Sequence, residues 1–314
     1  MMLLSPPLIV LLYLIASNSI LRIKNVSKFY NLQSIFNFGS SQPFITAFRN
    51  VTLDLNAFTT VIGSSGSGKS TFAKCVGGLE LFSYGELLFD DNNSTHSWRN
   101  SAYLGLQYRS KYNEQSLCKS HIQSFSYQPA NVALDIARSV LDIPSILDKR
   151  PDSLLESQRH LFNIYLGLQN ACEYHINQLL KLGLSTNELS QHTTTITTTS
   201  SSSSINIRTD DSSDSMSTIL ILDEYLDKLS LKVRNNVINK LKQYIQLLEN
   251  HNKNNNTSNT NIHKHYCYII VITHRESVLV ASDSRSIILH NGRLYDVKDD
   301  YKKLIRPVQL QLLE

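Results

Sequence analysis

The sequence predicts an α/β fold with a largely parallel sheet. Two observations carry this. Short apolar runs of buried-strand type, "AFTTVIG", "STILILDE" and "YCYIIVITH", alternate with stretches of helical spacing, "STFAKCVGGL" and "SLKVRNNVINKLKQYIQLLE". The strand-type runs also end in polar residues, and in such sheets ligands collect at the carboxyl ends of the strands.

Composition sets the outer limits. With 314 residues, 41% of them hydrophobic, the chain can bury one large core or two modest ones. A net charge of +4 is spread over 30 basic and 26 acidic residues with no basic block, so no nucleic-acid partner is expected. Cys75, Cys118, Cys172 and Cys267 stand far apart with no C-x-x-C spacing, which argues against a zinc site or a disulfide framework and fits buried thiols in a reducing compartment.

At the N-terminus, Leu8 to Ala16 is an uninterrupted apolar run with the length of a signal h-region, short for a membrane span. No Lys or Arg precedes it, and the strand-like "LRIKNVSKFY" follows from Leu21 almost without a linker. Residues 1–20 therefore read equally as a targeting or anchoring element and as an artefact of the gene model. Further on, a Ser/Thr-rich tract (Thr193 to Ser204, in a polar region reaching about Ser217) and "HNKNNNTSNTN" from His251 are too polar for core and are expected as loops.

The chemistry begins at "GSSGSGKST". Gly63, Gly68, Lys69 and Ser70 match G-x-x-x-x-G-K-[ST], after a strand-like run and before a helix-like one. Glycines let successive backbone N–H groups turn onto phosphates, and the following helix presents its positive end. Lys69 would bridge the β- and γ-phosphates of ATP, and the Ser70 hydroxyl would ligate Mg²⁺. The expected binding set is Gly63, Ser64, Ser65, Gly66, Ser67, Gly68, Lys69, Ser70 and Thr71. In "ILILDE", four apolar residues deliver Asp223 and Glu224 to a strand end. Asp223 would hold Mg²⁺, and Glu224 would act as general base on the attacking water, a role worth about 10² to 10⁴ in rate.

Further features stand in the order found in ABC ATPases, and the chain resembles the nucleotide-binding domain of that family from about Leu21 to Arg293. Tyr30 in "VSKFY" resembles the aromatic that stacks on adenine. Gln107 in "YLGLQYRS" resembles the loop glutamine near Mg²⁺ and the coupling surface, and His274 in "IVITHRES" the switch histidine that contacts the γ-phosphate. "SDSRSIILHNGRL" resembles the closing strand pair. The resemblance implies a P-loop NTPase core with an antiparallel β portion and a helical subdomain. The expected boundaries are 21–107 for the first part of the core and 108–182 for the helical subdomain, with 183–217 as an insertion. Residues 218–250 continue the core, 251–264 form an Asn-rich loop and 265–314 complete the core.

Two segments depart from the family pattern. The family pairs two domains head to tail, with ATP between the P-loop of one and a signature, usually L-S-G-G-Q, of the other. Here "RPDSLLESQR" keeps Leu154 and Gln158 but puts Leu155 at the serine, Glu156 at the first glycine and Ser157 at the second. Leu155 cannot donate a hydrogen bond, and Glu156 brings negative charge toward a phosphate. "DEYLDKLS" stands where D-E-P-T-S-A-L-D is usual, leaving Tyr225 at the proline and Ser230 at the final aspartate.

Residues acting in cis are thus retained, and those offered to a partner have drifted. The resemblance implies an ATP hydrolase that pairs with a second, intact ABC-type ATPase domain, a heterodimer rather than a homodimer. It would energise transport through a separate membrane permease, facing the cytoplasm or an organelle stroma or matrix. The alternative is a regulatory or scaffolding nucleotide-binding protein with little turnover. The DNA-maintenance ATPases of the wider family would need a long coiled coil between P-loop and signature, for which there is no room. A small-molecule kinase would leave Gln107, His274 and the closing strand pair without a role together.

Overall fold

The computed structural model describes residues 21–31, 44–89, 100–105, 115–125, 128–181, 216–256, 265–274, 285–290 and 292–296. The fold is α/β, with parallel strands, an antiparallel sheet and helices. Contacts divide the chain into two compact units, residues 1–97 with 268–314, and residues 98–267.

In the first unit, β1 (Leu21–Asn31) lies between β2 (Phe44–Leu55) and β4 (Tyr84–Phe89), antiparallel to both. Leu21 and Ile23 are buried and Arg22 and Lys24 exposed, the period-2 pattern of a strand with one face covered. The register then shifts at Asn25, whose φ is 51°. The Thr52 hydroxyl accepts from the Asn25 N–H at 2.9 Å and donates to Asn25 Oδ1 at 3.0 Å, so the bulge is held by side-chain bonds and Val26 returns to the core. Phe48 of β2 packs edge-on against Phe72 and Phe82 at centroid distances of 5.6 and 6.3 Å.

The same unit holds β3 (Phe58–Ile62), parallel to both β7 (His265–Thr273) and β8 (Arg285–His290). Every residue of β3 is buried, as a parallel strand covered on both faces requires. Helix α1 (Lys69–Val76) follows β3, and β8 pairs antiparallel with β9 (Arg293–Asp296), the closing pair expected from "IILHNGRL". Gly292, at φ 71°, makes the turn between them, and its carbonyl accepts from Arg49 N at 2.9 Å.

In the second unit, β5 (Asn100–Gly105) and β6 (Met216–Asp223) run parallel. The helices are α2 (Gln128–Val140), α3 (Glu156–Lys181) and α4 (Leu231–Asn256), with short 3₁₀ turns at Cys118–His121, Ile143–Ile146 and Pro151–Ser153. Leu161 to Gln169 of α3 are all buried, the mark of a helix covered on every side. A Cβ at Gly167 would meet Leu104 and Ala102 at 3.5–3.6 Å, so α3 rests closely on β5. In α4, Val237, Ile238, Leu241, Tyr244, Ile245 and Leu248 repeat at helical spacing and are buried.

The Asn-rich tract departs from the loop expected of it. Helix α4 continues through it to Asn256, and Asn252 is buried. Its amide donates to the His265 carbonyl at 2.7 Å and accepts from the His265 N–H at 3.4 Å. A carboxamide carries both a donor and an acceptor, so it can satisfy the two backbone groups of one residue as a neighbouring strand would. Residues 193–215 and 257–264 lie outside the described residues, as do 1–20; Met216, at the end of the first polar tract, opens β6. All four cysteines are buried free thiols.

Candidate functional site

The loop from Gly63 to Gly68 connects β3 to α1, and its shape depends on glycine at two walls. A Cβ on Gly63 would stand 2.2 Å from the Leu289 carbonyl oxygen and 2.8 Å from Ser67 Oγ. Gly68 caps α1 at φ 98°, and a Cβ there would stand 2.6 Å from the Ala47 carbonyl oxygen. Gly66 also needs positive φ, 74°, but a Cβ there meets nothing within 4 Å. The loop is closed by Ser67 N donating to Ser64 O at 3.3 Å, and the first helical bond runs from Phe72 N to Gly68 O at 2.8 Å.

Lys69 is buried, and its Nζ donates to the carbonyls of Gly63 at 2.9 Å and Ser64 at 2.7 Å. His274, next after β7, sets Nδ1 3.2 Å from the same Gly63 carbonyl. A carbonyl only accepts, so this contact puts the proton on Nδ1. Two residues far apart in sequence therefore bring nitrogen donors to one oxygen at the mouth of the glycine loop. Ser67 Oγ is buried with no hydrogen-bond partner among the described residues. A donor pair, an unmatched buried hydroxyl and glycines with no space for a Cβ make a cradle that fits phosphate oxygens.

Tyr30, at the end of β1, is tied to this loop region. Its hydroxyl donates to Glu80 Oε2 at 2.6 Å and lies 3.3 Å from Thr71 Oγ1. Burial and then the Glu80 bond hold its pKa above the usual phenol value. Lys28 Nζ sits 4.9 Å from the ring centroid, and it also donates to the Leu81 carbonyl at 2.9 Å. Tyr30 as a whole is 36% exposed.

Asp223 and Glu224 belong to the second unit. Asp223 ends β6, buried, with Oδ2 accepting from the Tyr103 hydroxyl and Oδ1 without a partner among the described residues. Glu224 is half-buried and takes φ 54°, a left-handed conformation that is strained for a residue with a side chain. The turn after it is braced from α4: buried Arg234 donates to Leu226 O at 3.1 Å and Leu229 O at 2.9 Å. Gln107 lies outside the described residues. Tyr103 belongs to no motif; the only signal for it is position, two residues before Gly105 on a strand registered with β6.

In "LLESQR", Leu154 is buried, Leu155 is 69% exposed and Glu156 opens α3. Gln158 Oε1 accepts from Leu155 N at 3.2 Å. Arg159 donates to the Asp152 carbonyl at 3.0 Å, tying the preceding turn to the helix. One turn on, the His160 ring packs edge-on against Tyr225 at 5.1 Å, and burial holds its pKa below the ordinary value. The positive end of α3 thus already carries a carboxylate, with a leucine where a hydroxyl would donate.

Comparison with known proteins agrees with this geometry. Residues 48–177 match the family model described as ABC transporter. The maltose/maltodextrin import ATP-binding protein MalK of Aliivibrio fischeri is 28% identical over 120 residues, 35% of this chain and 32% of that protein. The sn-glycerol-3-phosphate import ATP-binding protein UgpC of Bordetella pertussis is 28% identical over 109 residues, 32% of this chain and 30% of that protein. The chain matches roughly a third of the length of these relatives. Among solved structures, the ADP conformation of MJ1267, an ATP-binding cassette of an ABC transporter, superposes with a TM-score of 0.51 at 14% identity, covering 88% of this chain and 89% of that one. A nucleotide-free cassette from an ABC transporter gives 0.51 at 16% identity, covering 94% and 98%. The glycine cradle, the family match over residues 48–177 and the shared fold together support an ABC transporter nucleotide-binding domain.

Proposed function

We propose that the chain is the ATP-binding and ATP-hydrolysing subunit of an ABC-type complex that energises a separate membrane permease. The observation that carries this reading is the meeting of Lys69 and His274 on the Gly63 carbonyl, where both can turn to phosphate oxygens. Gly63 to Thr71 would bind the phosphates and Tyr30 the adenine. Glu224 would act as general base, and the strained backbone there suits a residue held for chemistry. Ser70, Gln107 and Asp223 would hold Mg²⁺; of these, Asp223 carries a buried Oδ1 with no hydrogen-bond partner among the described residues, which suits a cation ligand. When bound, the ion neutralises charge developing on phosphate oxygens.

The names of the curated relatives support an import-type complex. The permease would be a separate chain, and among the described residues no helix is long and apolar enough to cross a membrane. The ATPase domain would face the cytoplasm or an organelle stroma or matrix. Pairing with an intact ABC-type domain follows from the α3 end: this chain's P-loop would use the partner's signature, and the partner's P-loop would meet Leu155 and Glu156 and mainly bind ATP.

The second reading, a regulatory nucleotide-binding subunit with little turnover, rests on that same exposed Leu155. Steady-state ATP turnover of the full chain over a wide concentration range, with Glu224→Gln as blank, separates the two. The expected result is ATP binding with turnover only when a partner signature is supplied. Turnover that rises with the chain's own concentration and vanishes in the blank would show a working trans face. No turnover with any intact ABC partner would favour the regulatory reading.

A further inference from the structure

The two carboxylate oxygens of Asp223 are in different situations. Oδ2 accepts a hydrogen bond from the Tyr103 hydroxyl, while Oδ1 is buried with no partner among the described residues. Leaving such an oxygen unmatched is costly, and the exceptions in native folds call for a functional account.

The strand pairing explains how Tyr103 reaches it. β5 and β6 run parallel with Tyr103 beside Ile221 and Gly105 beside Asp223. Alternate residues share a face, so Tyr103 and Gly105 stand on the face that carries Asp223. Gly105 has no side chain to fill the position next to the carboxylate. A Cβ there would lie 3.4 Å from Tyr103 Cε1, so the tyrosine ring lies along β5 against the space that glycine leaves. Tyrosine, a one-residue gap and glycine thus form a device that delivers a phenol to the end of the neighbouring strand.

We propose that Tyr103 is a positioning residue for the magnesium site of this chain: its hydroxyl holds Asp223 Oδ2 and leaves Oδ1 as the oxygen presented to the cation. The inference rests on Asp223 holding the metal, as proposed above. The torsion that turns a carboxylate is broad, so without the hydroxyl the plane of the carboxylate is no longer fixed and the metal must itself impose the orientation. A hydrogen bond to an ionised group is among the stronger ones, so its loss reads as about a tenfold change.

The test uses the full chain and a fluorescent ATP analogue, titrated with Mg²⁺, with Mn²⁺ spin resonance as a second readout. Tyr103→Phe is expected to raise the half-saturating Mg²⁺ about tenfold, to broaden the bound Mn²⁺ signal, and to leave nucleotide binding in EDTA as in wild type. An unchanged midpoint overturns the proposal. A lowered midpoint also overturns it, since the hydroxyl would then compete with the cation. Should Tyr103→Phe lose nucleotide binding in EDTA, Gly105→Val decides, because its Cβ already meets the ring at 3.4 Å and its added methyls crowd it while the hydroxyl is kept; a wild-type midpoint in that variant overturns the proposal. Wild-type protein with no Mg²⁺ dependence removes the metal reading and this inference together. Normal wild-type dependence with an unchanged Tyr103→Phe removes the tyrosine's role alone.

Discussion

The Gln158 side chain accepts a hydrogen bond from the Leu155 backbone N–H at 3.2 Å, closing half of a capping box at the start of α3. The other half needs a hydroxyl at position 155, where a largely exposed leucine stands instead. Leu155→Ser completes the box and is expected to add about 1 kcal/mol, or about 2–4 °C in thermal unfolding. Joined with Glu156→Gly it restores a donor and removes a like charge facing phosphate, so turnover of the chain alone should rise. Unchanged turnover in the double variant would show that the trans face was not the limiting defect.

The three loop glycines should separate by the space around them. Gly66→Ala meets no atom within 4 Å and incurs only the left-handed backbone penalty at φ 74°, about 1 kcal/mol. Gly63→Ala and Gly68→Ala each drive a methyl into backbone carbonyl oxygen, at 2.2 and 2.6 Å. Both are expected to lose nucleotide binding and to unfold at clearly lower temperature than Gly66→Ala. Equal damage from all three would mean that chain entropy, not the walls at Ala47 and Leu289, decides the loop.

His160 gives the stability a pH dependence with a definite sign. Burial lowers its pKa from the ordinary 6.5, the Glu156 carboxylate acting weakly against this and Arg159 with it. The unfolded chain then takes up the proton first, so the contribution of neutral His160 is complete above pH 6.5 and is lost as pH falls through the folded-state pKa. Wild type should lose more denaturant resistance than His160→Gln between about pH 7.5 and about pH 5.5. Parallel losses in the two proteins would remove His160 as a cause.

Asn252 carries the structural surprise of the polar tract. Asn252→Ala removes the two hydrogen bonds that the Asn252 side chain makes to the His265 backbone in a buried place, at a cost of about 1–3 kcal/mol. The exposed Asn250→Ala, on the same helix, should stay within about 0.5 kcal/mol of wild type. Equal effects in urea unfolding would return the tract to the loop its composition suggests.

Some parts of this molecule were legible in the chain because their chemistry is local. The glycine loop needs positive φ and close backbone approach within a few consecutive residues, and "GSSGSGKST" states that need in residue types alone. The buried strands were equally plain, since an apolar run such as Ile219 to Leu222 can only be covered on both faces. The exchange of Ser and Gly for Leu155 and Glu156 was visible for the same reason: a side chain either donates a hydrogen bond or does not.

Other features depend on distances that no run of residues encodes. Lys69 and His274 share the Gly63 carbonyl because β3 and β7 lie side by side, a pairing that closes a long excursion of the chain. Tyr103 reaches Asp223 only through the register of β5 on β6, in which a shift of one residue would turn the ring to the opposite face. The Asn-rich segment looks like a loop by composition, yet Asn252 is helical, because a buried backbone that needs both a donor and an acceptor outweighs the weak preference of asparagine for turns. Local chemistry chose the loops and strands of this protein, and burial together with strand register chose which of their side chains meet.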